Sequence, residues 1–136
     1  MNPLSRSLVT GTVGELLVQL RLLQHGVQAV STHKDSGNDL LATRDEAFRA
    51  LQVKATRCRD GHITFNYDET IGKKFHILVL VFLEGEDDRL DLDQSRLYLL
   101  IRDDVTKGYY TLDEVRDKAL TQDRINDLFT RQLRAV

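Results

Sequence analysis

Cysteine is almost absent from this chain, which has only Cys58 among its 136 residues. A single cysteine cannot form an internal disulfide, and with four scattered histidines it does not complete a Cys/His zinc site. Structural classes that rely on disulfides or on a structural zinc are therefore excluded. We expect a reduced, cytoplasmic protein.

Long hydrophobic runs are also lacking. Glu15 and Arg21 interrupt the leucine-rich beginning of the sequence, and no small-residue cleavage site follows it, so we predict no secretory signal. The most apolar run, residues 77–83, is far too short to span a bilayer. We predict no membrane partner.

No strong excess of either charge is present, since the formal net charge is −2. The acidic excess is concentrated in residues 84–95, and the rest of the chain is slightly basic. The charge balance therefore neither indicates nor excludes a polyanionic partner.

The patterns that are present predict one mixed α/β domain over residues 1–136 with a central sheet. Helical spacing over residues 12–25 places one set of apolar side chains on one side, and a second side is also apolar, so we expect this helix to be covered twice. The first set is Val9, Val13, Leu16, Leu17, Leu20 and Leu23, and the second is Val18 and Leu22.

Strands are predicted over residues 27–32, 39–43, 47–56, 77–83 and 96–102, with a turn at 34–38 and a short strand or ordered loop at 62–68. Residues 84–95 are predicted to form a loop. Helices are predicted over residues 111–119 and 121–133, with Thr111 and Thr121 as their N-caps.

Polar residues interrupt two of these apolar strands. Gln52 and Lys54 are two positions apart, so they lie on one face of their strand. If the preceding strand pairs with it in antiparallel fashion, Asp39 lies beside them. Oxygen ligands with one or two carboxylates suit Mg²⁺. We therefore expect a cation held by Asp39, the Gln52 amide oxygen and the Val53 carbonyl, with Lys54 orienting water or offsetting phosphate charge.

Structural explanations compete with this hypothesis. Asp39 follows Ser-Gly-Asn and is typical of a turn, and Gln52 and Lys54 can occupy a solvated face. Glu15 can point toward the same end of the sheet, but Thr12-Val-Gly-Glu15 also matches a capping box with Thr12 as N-cap.

The ordered motifs resemble the PD-(D/E)XK nuclease superfamily, in particular Holliday junction resolvases and small restriction or homing endonucleases. The motifs are G-E-L-L-V-Q-L-R-L-L-Q-H-G, then S-G-N-D-L-L-A, then L-Q-V-K-A, within residues 11–56. The resemblance implies a restriction-endonuclease-like αβββαβ core with a central mixed sheet flanked by helices. It implies catalytic roles for Glu15, Asp39, Gln52 and Lys54, with Glu15 also near the metal. Asn38 replaces the motif proline, and Gln52 replaces a carboxylate, which removes one negative charge from the metal site.

The implied reaction is hydrolysis of a DNA phosphodiester bond by a Mg²⁺-activated water, with Mn²⁺ able to substitute for Mg²⁺. Duplex or branched DNA and a homodimer or higher homo-oligomer are the implied partners, with the second side of the first helix and the C-terminal helix as candidate interfaces. Side chains that flank the motifs are the predicted DNA contacts: Arg44, Arg57, Arg59, His62, Tyr67, Lys73 and Lys74.

Two alternatives stay open at this point. One is a catalytically degenerate nuclease fold that binds nucleic acid or a protein partner. The other is a small α/β domain without a nucleic-acid role, in which the polar strand residues are solvated. If the side chains of Asp39, Gln52 and Lys54 do not converge, both the nuclease and the degenerate nuclease fold lose their main support, and the small α/β domain is favoured.

Overall fold

A long helix precedes a sheet whose strands follow one another closely along the chain. The computed structural model describes residues 3–32, 39–86 and 88–136, so the turn predicted at 34–38 lies outside the described residues. The elements in chain order are α1 Arg6–Gln24, β1 Gln28–Ser31, β2 Leu40–Arg44, β3 Ala47–Arg57, β4 His62–Thr64, α2 Tyr67–Ile71, β5 Ile77–Glu86, β6 Arg89–Ile101, β7 Tyr109–Thr111 and α3 Gln122–Leu128.

The main sheet has five strands in the order β1-β2-β3-β5-β6. Strands β3 and β5 are parallel, and the other neighbours are antiparallel. The crossover from β3 to β5 contains α2 and β4, and β4 pairs with β7 in a separate two-stranded sheet. This topology confirms the predicted mixed sheet and αβββαβ core. No helix among the described residues is long and apolar enough to cross a membrane.

The sheet separates two apolar cores, because β5 is buried on both faces from Ile77 to Leu83. Its odd-numbered side chains pack in one core with α1 and α3, and its even-numbered side chains pack in the other with β4 and β7. Strand β3 is in register with β5, with Leu51 opposite Ile77 and Gln52 opposite Leu78. Even-numbered residues of β3 therefore lie on the face turned away from α1.

Helix α1 differs from its prediction in both its start and its orientation. It begins at Arg6, and its N-cap is Ser5, whose hydroxyl accepts the Leu8 N–H at 3.2 Å. The predicted capping box at Thr12 is therefore wrong. The side that packs on the sheet also differs from the prediction. Val18 and Leu22, on the predicted second side, are buried together with Leu17. The other leucines of the predicted first side, Leu16, Leu20 and Leu23, are exposed.

Close packing against β3 explains this choice of face. A Cβ atom built on Gly14 would lie 2.6 Å from the Cβ of Ala55 in β3, so only glycine permits the contact. Because both sides of the helix are rich in apolar residues, their periodicity alone does not indicate which side docks.

The segment 84–95 is not the predicted loop. It forms the outer part of the hairpin of β5 and β6, where Glu84 lies opposite Asp91 and Glu86 opposite Arg89. Gly85 adopts a φ of 102°, which a side chain would disfavour. Acidic side chains that alternate along a strand and face water are compatible with a two-stranded hairpin. In the sequence, the same high density of charge resembles a solvated loop.

The helix predicted over residues 111–119 is also wrong, since Thr111 ends β7 and the chain continues through turns into a short 3-10 helix, Arg116–Lys118. The Thr111 hydroxyl accepts the Glu114 N–H at 3.2 Å and the Glu114 carboxylate accepts the Thr111 N–H at 3.0 Å. These capping bonds close a turn rather than start a helix, because Ala119 is drawn into a bridge with Tyr98 of β6. Thr121 is confirmed as the N-cap of α3, but that helix ends at Leu128.

Candidate active site

Strands β2 and β3 part where the polar motif residues lie. Their paired residues end at Leu40 and Leu51. Beyond that pair, the Asp39 N–H donates to the Leu51 carbonyl at 3.1 Å, and the Asp39 carboxylate accepts the Val53 N–H at 2.8 Å. The side chain of Asp39 thus takes the place of a backbone acceptor. This bond fixes a carboxylate at the open edge of β3.

Val53 places a second oxygen at the same edge. In an antiparallel ladder the N–H and C=O of one residue point toward the same neighbour. Because the Val53 N–H is directed at Asp39, its carbonyl also faces this side of β3. The backbone therefore supplies a neutral oxygen beside the Asp39 carboxylate, where the sequence predicts a metal ligand.

Gln52 and Lys54 occupy the face of β3 that is turned away from α1. They lie opposite Leu78 and Leu80 of β5, in the row of even-numbered side chains. Gln52 is only 1% exposed, and Lys54 is partly exposed. A buried amide between apolar strands is not a solvated strand face. The burial of Gln52 therefore argues against the alternative in which this residue lies on a solvated strand face.

Glu15 lies in the middle of α1, within electrostatic range of Asp39. It follows Gly14, which brings the helix against Ala55 of β3. Burial raises the pKa of the Glu15 carboxyl, and the negative charge of Asp39 raises it further. The two carboxylates are therefore close enough to repel one another. Since Ser5 caps the helix, capping does not account for Glu15.

The donor set of this site consists of oxygen atoms. The described residues contain no group of three or more His, Cys, Asp or Glu side chains able to hold a metal. Zinc, which favours nitrogen and sulfur ligands, is therefore poorly matched to the site. The predicted ligands, which are the Asp39 and Glu15 carboxylates, the Gln52 amide and the Val53 carbonyl, are oxygen donors of the kind that Mg²⁺ takes, since it retains several water ligands and needs few carboxylates. That they surround one cation stays a prediction.

The predicted DNA contacts lie in three places. Arg57 and Arg59 follow Lys54 at the end of β3, where the Arg57 guanidinium donates to the Thr10 hydroxyl of α1 at 2.9 Å. Four others lie on or next to the small layer of β4 and α2: His62, Tyr67, Lys73 and Lys74. The His62 ring stacks on Tyr109 with 5.1 Å between centroids.

Arg44 is not brought to the site. It ends β2, whereas Asp39 precedes the first residue of that strand. At about 3.3 Å per residue, five residues of strand separate the two by roughly 16 Å. Arg44 therefore lies toward the opposite end of the hairpin from the carboxylate cluster.

Two positioning residues escaped the sequence reasoning. Gly14 could have been noticed, because a glycine inside a helix often marks a close approach. His76 offered no such signal. The Nδ1 atom of its ring accepts the Ala50 N–H, and the backbone N–H of His76 donates to the Ala50 carbonyl, both at 2.8 Å. These two bonds hold the start of β5 against β3. Burial, and then the charge of Arg49, lower the pKa of His76, which favours the neutral ring that this bond needs.

Known proteins were compared with the chain by sequence and by structure. No family model and no curated protein matches the sequence. The bacterial homing endonuclease I-Ssp6803I is similar in structure, with 12% identity and a TM-score of 0.52 over 79% of this chain and 78% of that chain. Hjc, a Holliday junction resolvase of the archaeal hyperthermophile Archaeoglobus fulgidus, is 11% identical with a TM-score of 0.54 over 89% of this chain and 98% of its own. At these identities the similarity is one of fold, and the chain has the restriction-endonuclease-like fold of the PD-(D/E)XK nucleases, as the sequence resemblance predicted.

Proposed function

We propose that this protein is a metal-dependent DNA endonuclease that hydrolyses phosphodiester bonds. The observation that carries the proposal is the fixed position of the Asp39 carboxylate at the open edge of β3, bonded to the Val53 N–H at 2.8 Å. Glu15 interacts electrostatically with it, and Gln52 and Lys54 lie on the adjoining face of the same strand. The fold shared with two nucleases supports this assignment.

Asp39, Glu15, the Gln52 amide oxygen and the Val53 carbonyl would hold Mg²⁺, and Mn²⁺ would replace it. When bound, a divalent cation lowers the pKa of water and neutralises charge on the phosphate. The two carboxylates repel one another in the free protein, as the raised pKa of Glu15 indicates. Cation binding would relieve that repulsion.

Lys54 would supply positive charge at the reacting phosphate. The ammonium of Lys54 would stabilise the negative charge that builds on the phosphate oxygens during attack. The proton that the attacking water loses would pass to solvent. A new P–O bond forms from that water and the opposite P–O ester bond breaks, with the leaving oxygen protonated from solvent.

The substrate in this proposal is duplex or branched DNA. Arg57 and Arg59 lie beyond Lys54 on the same strand and loop, where they would contact phosphates next to the scissile bond. Lys73 and Lys74 would extend these contacts from the segment after α2, with His62 and Tyr67 as neighbouring polar or stacking groups. We further propose that the enzyme acts in the cytoplasm as a homodimer.

Cleavage assays of matched variants test the proposal. Supercoiled plasmid, four-way junctions, flaps and single strands are incubated with Mg²⁺, Mn²⁺ or EDTA. We expect metal-dependent products from the wild type and a loss of about 100-fold or more in Asp39→Asn and Lys54→Ala. Asparagine can still accept the Val53 N–H, so Asp39→Asn should fold. Asp45→Asn and Lys107→Ala change the same residue types at exposed positions and should cleave normally.

The degenerate alternative gives a different pattern. The observation in its favour is that Gln52 stands where a third acid is expected, and that the described residues contain no group of three or more His, Cys, Asp or Glu side chains able to hold a metal. DNA binding without any metal-dependent product, in all variants alike, would contradict the enzymatic proposal. If only Gln52→Glu cleaves, the site is correctly built but its natural glutamine has made it inactive.

A further inference from the structure

A histidine ring takes the place of a backbone acceptor where the parallel pair of β3 and β5 begins. The paired residues start at Leu51 and Ile77. One residue earlier on each side, the backbone N–H of His76 donates to the Ala50 carbonyl, and the Ala50 N–H donates to Nδ1 of the His76 ring, both at 2.8 Å. Ala50 is only 5% exposed, so water has little access to its N–H.

The stretch of β3 that His76 holds is also held by Asp39 from the opposite edge of the strand. The Leu51 carbonyl accepts the Asp39 N–H at 3.1 Å, and the Val53 N–H donates to the Asp39 carboxylate at 2.8 Å. This short stretch therefore depends on two side-chain acceptors, one on each edge. Loss of either acceptor leaves a buried or part-buried N–H unsatisfied, which is costly.

Only the neutral form of the His76 ring can accept this hydrogen bond. Protonation places a hydrogen atom on Nδ1, so the ring and the Ala50 N–H would then be two donors 2.8 Å apart. The charged ring would have to rotate away, and the buried N–H would lose its acceptor. A charged His76 is thus incompatible with the observed arrangement of Ala50.

The charged groups near the ring do not favour its protonation. Burial lowers the pKa of His76 below its ordinary value of 6.5, and the positive charge of Arg49 on β3 lowers it further. Asp103 is ion-paired with Arg134. The charged residues of the other adjoining segments are Lys73 and Lys74 before the ring, Arg102 and Asp103 after β6, and Arg134 near the C-terminus.

We propose that His76 makes the candidate active site sensitive to pH, because the neutral ring holds residues 50–53 of β3 in place beside Asp39 and the protonated ring releases them. The released stretch includes Gln52 and Val53, whose oxygens are predicted metal ligands. His76 is therefore a positioning residue that acts through the backbone and touches neither metal nor substrate. Its effect on cleavage rests on the proposed function, whereas its effect on β3 does not.

The direction of the pH effect follows from the lowered pKa of His76. The unfolded chain binds a proton at this ring more readily than the folded protein does, so the folded protein loses stability as the pH falls below 6.5 toward the folded pKa. At higher pH the ring is neutral in both states and its contribution is constant. Glu15 has a raised pKa and acts in the opposite direction, so variants are always compared at the same pH.

Two substitutions separate the hydrogen-bond acceptor from the proton. His76→Asn keeps an oxygen near the position of Nδ1 but cannot titrate, and His76→Leu removes the acceptor. At pH 7.5, His76→Asn should resemble the wild type, and His76→Leu should lower the folding equilibrium constant roughly 5- to 100-fold. Between pH 7.5 and 5.0, the Tm of the wild type should fall by about 3 °C or more beyond that of His76→Asn. His25→Asn, at the C-cap of α1, is the control and should retain the wild-type pH dependence.

Amide NMR of the full chain shows where the proton acts. From pH 7.5 to 5.0, the amide resonances of Ala50, Leu51 and Val53 should shift with the titration of the His76 ring, and this component should be absent from His76→Asn. If the ring titrates while these amides do not respond, the proposal is overturned. An equal loss of Tm in the wild type and His76→Asn would overturn it as well.

Cleavage rates connect the titration of His76 to the site. Between pH 7.5 and 5.5, the wild-type rate should fall about threefold or more beyond that of His76→Asn, because small displacements of a site are costly. Equal falls in a protein that cleaves DNA would show that the ring does not act on the site, contrary to the proposal. Melting and NMR need no catalysis, so a protein that releases β3 in acid but never cleaves DNA would reject only the proposed function.

Discussion

At the residue scale, Asp39 combines a structural bond with the proposed chemistry. Its carboxylate accepts the Val53 N–H at 2.8 Å, at a point where β2 no longer offers a backbone acceptor. Removing the acceptor would leave a part-buried N–H unsatisfied, which typically costs about 1–3 kcal/mol. The functional test therefore requires asparagine rather than alanine, because asparagine retains an oxygen for Val53 while it removes the charge.

Glu15 is expected to lower stability in the absence of metal. Burial and the charge of Asp39 raise its pKa above the ordinary value of 4.5. A group with a raised pKa stabilises the fold fully below its unfolded pKa, and that contribution is lost as the pH rises through the folded pKa. We predict that Glu15→Gln melts at a higher temperature than the wild type at pH 7–8 in EDTA, and that the difference disappears near pH 4.

Thermal melts with and without Mg²⁺ check this prediction. Saturating Mg²⁺ should raise the Tm of the wild type, because binding at 100 times the dissociation constant adds about 2.7 kcal/mol to the free energy of unfolding, and Glu15→Gln should gain less. Glu46→Gln, at an exposed turn position, serves as the control and should show neither effect. A lower Tm for Glu15→Gln at pH 7–8 would mean that the carboxylate makes a favourable bond, and would remove the argument for a shared acidic site.

At the scale of elements, the docking of α1 on β3 sets the position of Glu15. A Cβ on Gly14 would lie 2.6 Å from Ala55 Cβ, so Gly14→Ala must displace the helix. The gain in helix propensity is about 1 kcal/mol, and overpacking typically costs about 1–3 kcal/mol. We predict a net loss of stability of up to about 2 kcal/mol, and a larger relative loss of cleavage because Glu15 moves with the helix.

Gly11→Ala is the matched control on the same helix. A Cβ at Gly11 has no atom within 4 Å, so this change should stabilise the protein by about 0.5–1 kcal/mol without altering cleavage. Urea denaturation and cleavage rates measure both quantities. Adding Ala55→Gly to Gly14→Ala should restore part of the cleavage rate, since it frees the space that the new methyl group needs. If Gly11→Ala and Gly14→Ala have the same stability and the same cleavage rate, the close packing of Gly14 on Ala55 does not matter for cleavage.

Elements were predictable where one physical signal dominated. The apolar run at Ile77–Leu83 predicted a strand buried on both faces, and the alternation in β3 placed Gln52 and Lys54 together. The docking side of α1 was not predictable, because two apolar sides compete and the contact between Gly14 and Ala55 decides. The hairpin at 84–95 and the turns at 111–119 followed from pairing with β5 and β6, which local propensity does not contain.

The candidate site shows the same division. The two-residue spacing of a strand predicted that Gln52 and Lys54 lie on one face of β3, which the register with β5 confirms, whereas their convergence with Asp39 stays a prediction. The burial of Gln52 and the clamp of His76 depend on layers contributed by distant parts of the chain. Arg44 illustrates the limit, since proximity along the sequence placed it near the motif while the strand carries it about 16 Å away.

At the scale of the whole molecule, the distribution of charge should govern the proposed DNA binding more than the net charge of −2 does. The hairpin of β5 and β6 extends past the end of β3 and carries acids that include Glu86, Asp88 and Asp93. Arg59, a predicted phosphate contact, lines a surface depression together with Glu86 and Asp88. The acidic hairpin tip should therefore repel DNA from that side and confine it to the basic flank of the site.

Neutralising the tip is expected to strengthen DNA binding. We predict that Asp88→Asn combined with Asp93→Asn binds DNA roughly two- to five-fold more tightly at 50 mM salt, with the gain vanishing at 500 mM because salt screens exposed charges. Asp45→Asn with Asp123→Asn changes the net charge equally, but at exposed positions away from the hairpin, and should have a smaller effect. Fluorescence anisotropy with labelled duplex and catalytically inert Asp39→Asn protein measures the affinities. If both pairs strengthen binding equally, net charge rather than the placement of the hairpin controls the encounter with DNA.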